Sequence, residues 1–296
     1  MQVFEYLFKP KKYGDKLALL GQGVSGKVEL YQSGDKKYAI KTYHEKEKFE
    51  TKDEYKQRVL KEYNSLQKLH HINIVQVFTI EISSNGLQIQ QVMEYFPFKL
   101  KQFIKLNNNL TELYCFFKQL CNGIKYLHEQ EISHRDLKLD NLMVNNKGIL
   151  KIIDFDAMTQ NNFQSFGIVG SKKYLAPEVY SKLSYNPIKI DIWSIGIILY
   201  YMINRKYPWD IANLNDQNYN NFYNKLITIY EFQNTNNEKM TKDLIKFISK
   251  LLDVDPETRI SIKEFPNFNW FKKIKDCNHT HHLDSLNTLL SHQPSS

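Results

Sequence analysis

Short apolar runs separated by polar turns dominate the first third of the chain, and this pattern predicts β-strands. The predicted strands contain residues 17–20, 28–31, 37–41, 74–78 and 87–93. One segment, residues 55–69, instead has its apolar side chains at helical spacing, with Val59, Leu66 and Leu69 on one face. We therefore expect a sheet with a single helix in this part of the chain.

The rest of the chain is predominantly helical in pattern. Residues 113–128 have apolar positions at helical spacing and follow Thr111, which is predicted to be the N-cap. Residues 192–203 form the most apolar stretch, which is too short to span a bilayer and predicts a buried helix. The aromatic residues within 265–271 are expected to close the core, and residues 211–224 to form a solvent-facing, Asn-rich insertion.

Composition indicates a folded protein of one or two domains. The chain has 296 residues, 24% charged residues, 19 Tyr and 18 Phe. The net charge of +8 comes from lysines scattered among acids, which favours a basic surface over a nucleic-acid-binding module, the alternative it leaves open. None of the three cysteines lies in a C-x-x-C pair, and the apolar residues near the start are interrupted by Glu5. We expect no disulfide framework, no zinc site and no signal peptide. We also expect a protein that is cytoplasmic, or both cytoplasmic and nuclear.

A glycine-rich segment lies between the first two predicted strands. Gly21, Gly23 and Gly26 have the spacing G-x-G-x-x-G, which lets a backbone approach phosphates without Cβ clashes. A dinucleotide-binding fold would need a helix to begin at the last glycine, but a strand continues from Val28 and the next strand ends in Lys41. A plain glycine-rich hairpin remains the alternative.

The strongest chemical pattern lies in residues 134–141, His-Arg-Asp-Leu-Lys-Leu-Asp-Asn. This one loop carries the carboxylate of Asp136, the ammonium of Lys138 and the amide of Asn141, and Asp154 follows after a short apolar run. Chemistry on a phosphate needs such a set: a base for the attacking hydroxyl, a cation for the transferred group and oxygen ligands for Mg²⁺.

These segments resemble the glycine-rich loop, catalytic loop and metal-binding segment of eukaryotic protein kinases. Further matches are Gly-Ser-Lys-Lys-Tyr-Leu-Ala-Pro-Glu at 170–178, Asp-Ile-Trp-Ser-Ile-Gly at 191–196, and Arg259. Lys138, two residues after Asp136, is typical of the serine/threonine type. The resemblance extends over nearly the whole chain, residues 13–272.

The resemblance implies an α+β, bilobal fold with a smaller β-rich N-lobe and a larger, mainly helical C-lobe. The expected boundaries are an N-terminal arm at 1–12, the N-lobe at 13–93, the hinge at 94–98, the C-lobe at 99–272 and a polar tail at 273–296. The implied activity is ATP- and Mg²⁺-dependent transfer of the γ-phosphate to Ser or Thr of protein substrates. A pseudokinase or scaffold that binds nucleotide or partners is the alternative.

The resemblance also implies roles for single residues. Asp136 is the expected base, and Lys138 is expected to meet the γ-phosphate. Lys41 is expected to contact the α- and β-phosphates, held there by Glu62, for which Glu54 on the same helix is the rival. Asn141 and Asp154 are the expected Mg²⁺ ligands. The structural residues are expected to be Asp191, which anchors the catalytic loop, and the ion pair between Glu178 and Arg259.

The implied ATP-binding positions lie mostly in the first third of the chain. Met93 is expected at the gatekeeper position, and the backbone of Glu94 and Phe96 at the adenine edge. The full set is Gly21, Gly23, Gly26, Val28, Ala39, Lys41, Met93, Glu94, Phe96 and Met143. Lys99 stands where many relatives have a polar group near the ribose.

Asp156 departs from the resemblance, because the family usually has Gly there. We expect activity to survive while the segment changes conformation less readily. Arg135 implies a phosphate on the following segment, but Gly167 stands at the usual acceptor position, so either no phosphate is needed or Ser165 is the regulatory site. Asp140 predicts basic substrates, whereas the set Lys99, Lys172 and Lys173 predicts acidic ones. We expect protein substrates, no nucleic acid, no membrane and a monomer.

Overall fold

A computed structural model of the chain describes residues 12–106, 109–160, 164–225 and 241–275. The chain divides into two units, residues 1–96 and residues 97–296. The division lies within the residues that the sequence assigned to the hinge. The first unit is mainly β and the second mainly helical, so the predicted α+β class is confirmed.

The first unit contains one antiparallel sheet with the strand order β1-β2-β3-β5-β4. Its strands are β1 (Asp15–Gln22), β2 (Gly26–Ser33), β3 (Lys36–Tyr43), β4 (Val77–Ile82) and β5 (Ile89–Glu94). The predicted strand at 74–78 is displaced toward the C-terminus, because Ile74 instead closes a turn by donating its N–H to His71 O at 3.0 Å. Ile74 is nevertheless buried, so its apolar character reflects the core and not a strand.

The predicted helix of this unit is α1 (Lys52–Leu66), which begins and ends three residues earlier than expected. Thr51 is its N-cap, and the capping box with Glu54 satisfies backbone N–H groups at both positions. Glu54 therefore has a structural role at the helix N-terminus. Its hydrogen bonds from the Thr51 backbone and hydroxyl hold the pKa of Glu54 below its usual value.

The second unit is mainly helical, and one of its helices is buried along most of its length. In chain order they are α2 (Leu100–Leu106), α3 (Leu110–Glu129), α4 (Glu178–Ser181), α5 (Pro187–Asn204), α6 (Gln217–Tyr223), α7 (Lys242–Leu251) and α8 (Asn269–Lys272). Every residue from 192 to 203 in α5 is buried, so the predicted buried helix is confirmed. Across the described ranges, no helix combines the length and the apolar character needed to cross a membrane.

Short strands connect these helices. They are β6 (Phe98–Lys99), β7 (Ile132–Ser133), β8 (Leu142–Val144), β9 (Leu150–Ile152), β10 (Thr159–Gln160), β11 (Ser165–Phe166) and β12 (Ser184–Tyr185). The sheet β6-β8-β9 and the pairs β7-β10 and β11-β12 are all antiparallel. They fix the loops that carry the polar residues of interest.

Three local expectations were wrong. The N-cap of α3 is Asn109, whose side chain accepts from Thr111 N at 3.0 Å, so Thr111 already lies in the first turn. The segment 211–224 is not simply solvent-facing, because Tyr219 is 1% exposed and its ring centroid lies 5.2 Å from that of Trp209. Cys115 is disulfide-bonded, contrary to the expectation drawn from the spacing of the cysteines.

The predicted closure of the core by residues 265–271 is confirmed by aromatic packing. The Phe247 ring lies 5.0 Å from Phe265 and 5.3 Å from Trp270, measured between centroids. The predicted arm lies almost wholly, and the predicted tail from residue 276 onward, outside the described residues.

Candidate active site

The loop at residues 134–141 is anchored by a carboxylate on the buried helix α5. Asp191 is fully buried, and its two oxygens accept the backbone N–H groups of His134 and Arg135, both at 2.9 Å. His128 Nε2, at the end of α3, lies 3.0 Å from Asp191 Oδ2. Asp191 thus contacts the loop as the sequence predicted, and its hydrogen bonds compensate its burial.

Within this loop, the Asp136 carboxylate is held by donors on both oxygens. Lys138 Nζ lies 2.6 Å from Oδ2, and Ser171 Oγ donates to Oδ1 at 2.9 Å. The Asn141 amide nitrogen donates to the Asp136 carbonyl at 3.0 Å. Donors on both oxygens restrict the orientation of this carboxylate, and a base that accepts a proton from a bound hydroxyl must be within hydrogen-bond reach of it. Sequence reasoning had not placed Ser171 in this contact.

The turn that carries Ser171 approaches the loop closely. Gly170 has a φ of +111°, and a Cβ at this position would lie 2.7 Å from the Arg135 carbonyl oxygen. Only glycine allows this approach without displacing the backbone. The glycine therefore explains how Ser171 reaches Asp136.

Tyr174 fastens the same turn from the other side. Its hydroxyl accepts from Leu139 N at 3.3 Å and lies 2.7 Å from the Tyr207 hydroxyl, while Ser194 Oγ donates to its carbonyl at 2.9 Å. Burial, followed by the hydrogen bond with Tyr207, raises the pKa of Tyr174 well above the ordinary value. The phenol therefore stays neutral and acts as a fixed link between the turn and the loop.

The segment 154–156 has its unusual backbone at the first residue. Asp154 is exposed and has a φ of +65°, whereas Asp156 is exposed and is absent from the positive-φ positions. Phe155 is 1% exposed, and its ring centroid lies 4.8 Å from that of His134. The backbone freedom that glycine would supply at residue 156 is therefore not used in this conformation.

Asn141 and Asp154 offer the oxygen ligands that Mg²⁺ takes. The amide nitrogen of Asn141 is committed to Asp136, so its side-chain oxygen is the ligand atom that it can offer. Ile153 N donates to the Asn141 carbonyl at 3.0 Å, which places the two segments side by side. In the described part of the chain, no cluster of three or more His, Cys, Asp or Glu could hold a metal alone. A pair of oxygen ligands suits an ion that completes its shell with water and substrate phosphates.

In the first unit, the structure pairs Lys41 with Glu62. Lys41 Nζ lies 3.7 Å from Glu62 Oε1, and the two side chains are only 7% and 13% exposed. Tyr43, which sequence reasoning missed, adds a hydroxyl 3.0 Å from Glu62 Oε2 and a ring 4.7 Å from Lys41 Nζ. The sequence preference for Glu62 over Glu54 agrees with this geometry.

The three glycines of the first turn differ in their surroundings. A Cβ at Gly26 would lie 2.2 Å from the Thr42 carbonyl oxygen, so packing between β2 and β3 requires this glycine. A Cβ at Gly21 or Gly23 would meet nothing within 4 Å. The fold of the unit itself therefore does not explain these two glycines, whereas a ligand approaching the turn would.

The other predicted nucleotide positions lie on the central strands. Val28 is opposite Lys41, and Ala39 is opposite Met93. Glu94 donates its N–H to Gln76 O at 3.1 Å and accepts from Gln76 N at 2.6 Å through its side chain. The remaining predicted positions are the buried Phe96 at the end of the first unit and, in the second unit, Met143, which is opposite Lys99 in the β6–β8 pair.

The predicted regulatory residues lie close together in the second unit. Ser165 is 5% exposed and is paired with Tyr185 across β11 and β12, so a modifying enzyme could reach it only after this pair opens. Arg135 has a φ of +66°, and its Nη2 lies 3.5 Å from the Tyr185 hydroxyl. Sequence reasoning had not identified Tyr185.

The predicted ion pair between Glu178 and Arg259 is bidentate and buried. Arg259 Nη1 and Nη2 donate to the two Glu178 oxygens at 2.6 and 3.0 Å. The side chains are 2% and 0% exposed, and the guanidinium carbon lies 4.9 Å from the Trp193 ring centroid. The pair connects the end of the 170–178 turn to a segment 81 residues downstream.

Comparison with known families matches residues 15–271 to the protein kinase domain. The chain is 34% identical over 304 aligned positions to the serine/threonine-protein kinase PRR2 of Saccharomyces cerevisiae, covering 90% of this chain and 43% of that protein. It is 41% identical over 222 positions to the nitrogen permease reactivator protein of the same yeast, covering 72% and 28%. It is 35% identical over 250 positions to the serine/threonine-protein kinase oca2 of Schizosaccharomyces pombe, covering 81% and 37%. The chain thus spans less than half the length of these relatives.

Proposed function

Since this chain belongs to the eukaryotic protein kinase family, of the serine/threonine type, we propose that it transfers the γ-phosphate of ATP to Ser or Thr hydroxyls of protein substrates. One observation carries the proposal. The Asp136 carboxylate is held by Lys138 on one oxygen and by Ser171 on the other, within a loop anchored on buried Asp191. The loop thus holds the Asp136 carboxylate, which can accept a proton, beside the Lys138 ammonium group.

In the proposed reaction, Asp136 orients the substrate hydroxyl and accepts its proton as the oxygen attacks the γ-phosphorus. Lys138 stabilises the charge on the transferred phosphoryl group, which is largest in a loose transition state. The bond between the γ-phosphorus and the bridging oxygen breaks, and ADP leaves. Because Lys138 already contacts Asp136 at 2.6 Å, little side-chain motion is needed to place a cation at the reaction centre.

Residues of the first unit are expected to contact the ATP phosphates. Gly21 and Gly23 leave their turn open for backbone approach, and Lys41 is kept in a defined orientation by Glu62. The family uses ATP with a divalent metal, for which Asn141 and Asp154 are the proposed ligands and Mg²⁺ the proposed ion. A bound Mg²⁺ would supply positive charge to the phosphate oxygens. The chain's own contribution is to hold these ligand oxygens beside the catalytic loop.

Asp136→Asn tests the proposal directly. It keeps the size of the side chain but removes the base, so we expect turnover to fall by about 10²–10⁴-fold. The measurement is Mg²⁺-dependent transfer from radiolabelled ATP to a generic protein substrate, with nucleotide binding measured in parallel. Glu129→Gln, at the exposed end of α3, is the matched control and should keep full activity.

A wild-type protein that binds ATP without turnover would contradict the proposal and support the pseudokinase alternative. Full activity of Asp136→Asn would also contradict it. Because the chain spans less than half of these relatives, the substrates and partners of the whole protein are proposals. The monomeric state and the cytoplasmic or nuclear location remain predictions.

A further inference from the structure

The Arg135 side chain lacks an anionic partner in the part of the chain that the structure describes. No carboxylate there lies within ion-pair distance of its guanidinium, and its buried Nε has no hydrogen bond. Its side-chain contact is with Tyr185, whose hydroxyl lies 3.5 Å from Nη2. A cation left in this state is usually matched by a dipole or an anion, because a partly buried charge is costly without one.

The Tyr185 hydroxyl supplies that dipole and also makes a second hydrogen bond. It is 2.7 Å from the Gly167 carbonyl oxygen, to which it donates. A tyrosine hydroxyl can accept one hydrogen bond and donate another, so Arg135, Tyr185 and Gly167 form a chain from cation to hydroxyl to carbonyl. In such chains each bond polarises the next. The bond to Gly167 is short, whereas the contact with Arg135 is at the long limit.

Tyr185 is itself rigidly placed. It is 5% exposed, it pairs with Ser165 across β11 and β12, and the next residue, Asn186, is the N-cap of α5. The same helix carries Asp191, which anchors Arg135 through the backbone at 2.9 Å. One buried helix therefore positions both ends of the Arg135–Tyr185 contact.

Gly167 lies on the segment that leads into the Asp136 contact. Three residues further, Gly170 packs its backbone against the Arg135 carbonyl, and Ser171 then donates to Asp136. If residues 165–169 moved away, the approach of Gly170 and the Ser171 hydrogen bond would weaken with them. Gly167 has no hydroxyl to carry a phosphate, and Ser165 is buried, so Ser165 can be phosphorylated only after a rearrangement.

We propose that Tyr185 is a positioning residue whose hydroxyl ties Gly167 to Arg135, and thereby holds residues 164–171 in the competent arrangement without a phosphate. This inference rests on the proposed kinase function for its catalytic readout. We call the contacts of the Tyr185 hydroxyl with Gly167 and Arg135 the tether. Its effect on residues 164–171 can be measured without turnover.

The first experiment compares Tyr185→Phe with Tyr180→Phe in protein shown by intact mass to carry no phosphate. The first variant removes only the bridging hydroxyl. The second removes a buried hydroxyl that has no hydrogen-bond partner among the described residues. Hydrogen exchange of the amides of 164–171 should be faster in Tyr185→Phe and unchanged in Tyr180→Phe. Equal exchange in the two variants would overturn the tether, whether or not the protein is active.

The second experiment uses steady-state kinetics of the same proteins. We expect kcat of Tyr185→Phe to fall about fivefold to tenfold, the effect of one or two lost hydrogen bonds. The KM for ATP should not change, because the hydroxyl contacts no nucleotide position. If Tyr185→Phe instead lowered the thermal midpoint and the fraction of active protein, the loss of activity would reflect general instability and would contradict the positioning role. Tyr180→Phe should match the wild type in every respect.

Arg135→Gln completes a double-mutant cycle with Tyr185→Phe. If the hydroxyl acts through Arg135, the double variant should lose little more activity than Arg135→Gln alone. Fully additive losses would overturn the proposal, and so would a wild type that turns over only after phosphorylation. A wild type that is inactive with and without phosphate would instead overturn the proposed kinase function, and hydrogen exchange would still decide the tether.

Discussion

At the scale of single residues, the main finding concerns the two carboxylates of the segment 154–156. The resemblance to the family predicts glycine at residue 156, and the usual physical reason is backbone freedom. Here the left-handed conformation belongs to Asp154, with a φ of +65°, while Asp156 has no positive φ. Asp tolerates the left-handed region better than most residues, so the segment accommodates Asp at both positions.

This difference leads to a prediction for Asp156→Gly. Glycine relieves no strain at residue 156 and makes the unfolded chain more flexible, so we expect about 0.4–1 kcal/mol lower stability. Mg²⁺-dependent turnover should stay within about threefold, since no contact with the transferred group is removed. Urea unfolding and the radiolabelled ATP assay give the two numbers.

Asp154→Gly is the matched comparison for that variant. It suits the left-handed backbone but removes the proposed metal ligand, so turnover should fall by at least about 100-fold. The idea that Asp156 is compatible with activity would be wrong if the wild type were inactive and Asp156→Gly were active.

At the scale of elements, the first turn of the sheet separates structural from ligand-directed glycines. Gly26 is required where β2 meets β3, whereas Gly21 and Gly23 face open space. The sequence pattern treats the three alike, because spacing alone carries no information about what surrounds each Cα. The structure shows open space around the first two, which therefore remain the predicted contacts of the nucleotide.

Replacement of Gly26 by alanine should therefore affect stability, whereas replacement of Gly23 should affect ATP binding. Gly26→Ala forces a Cβ against the Thr42 carbonyl, at 2.2 Å before relaxation, and should lower the free energy of unfolding by about 1–3 kcal/mol. Gly23→Ala should leave stability unchanged and raise the KM for ATP by about fivefold to tenfold, because a Cβ blocks the backbone approach. Urea unfolding and initial rates at varied ATP distinguish the two, and a destabilised Gly23→Ala would contradict the assignment.

The helix that carries Glu62 begins at a cap that can be read from the sequence. Thr51 and Glu54 form a capping box that the sequence already contains, and it moves the start of α1 to Lys52. The capping box holds Glu54 at the helix N-terminus, whereas Glu62 lies within ion-pair distance of Lys41. The choice between the two glutamates thus depends on helix-cap chemistry as much as on downstream motifs.

At the scale of the whole molecule, long-range polar contacts hold the second unit together. The Glu178–Arg259 pair joins residues 81 apart, and Arg259 also donates to the Lys189 and Asp253 carbonyls at 2.9 Å. Each nitrogen of this buried guanidinium group therefore donates to at least one acceptor. Such a pair costs more to break than it contributes when formed, because the remaining charge stays buried.

Arg259→Ala should consequently lower the free energy of unfolding by about 3–5 kcal/mol. The surface pair between Lys250 and Asp253, with the lysine 46% exposed, provides the control. Lys250→Ala should change stability by less than about 1 kcal/mol, because water already screens that pair. Urea unfolding of both variants tests the contrast, and a small effect of Arg259→Ala would show that the buried pair is not a main source of stability.

By itself, the sequence determined the family, the order of strands and helices, and which residues carry carboxylate, ammonium and amide groups near the catalytic loop. Those features depend on local spacing, which is readable along the chain. Only the tertiary structure decided that Tyr185 links Arg135 to Gly167, that Ser171 contacts Asp136, that Tyr219 is buried and that the left-handed residue is Asp154. The first three depend on side chains that meet across 18 to 50 residues, and the last depends on a backbone angle that several residue types can adopt. Neither quantity is encoded in the pattern of neighbouring residues.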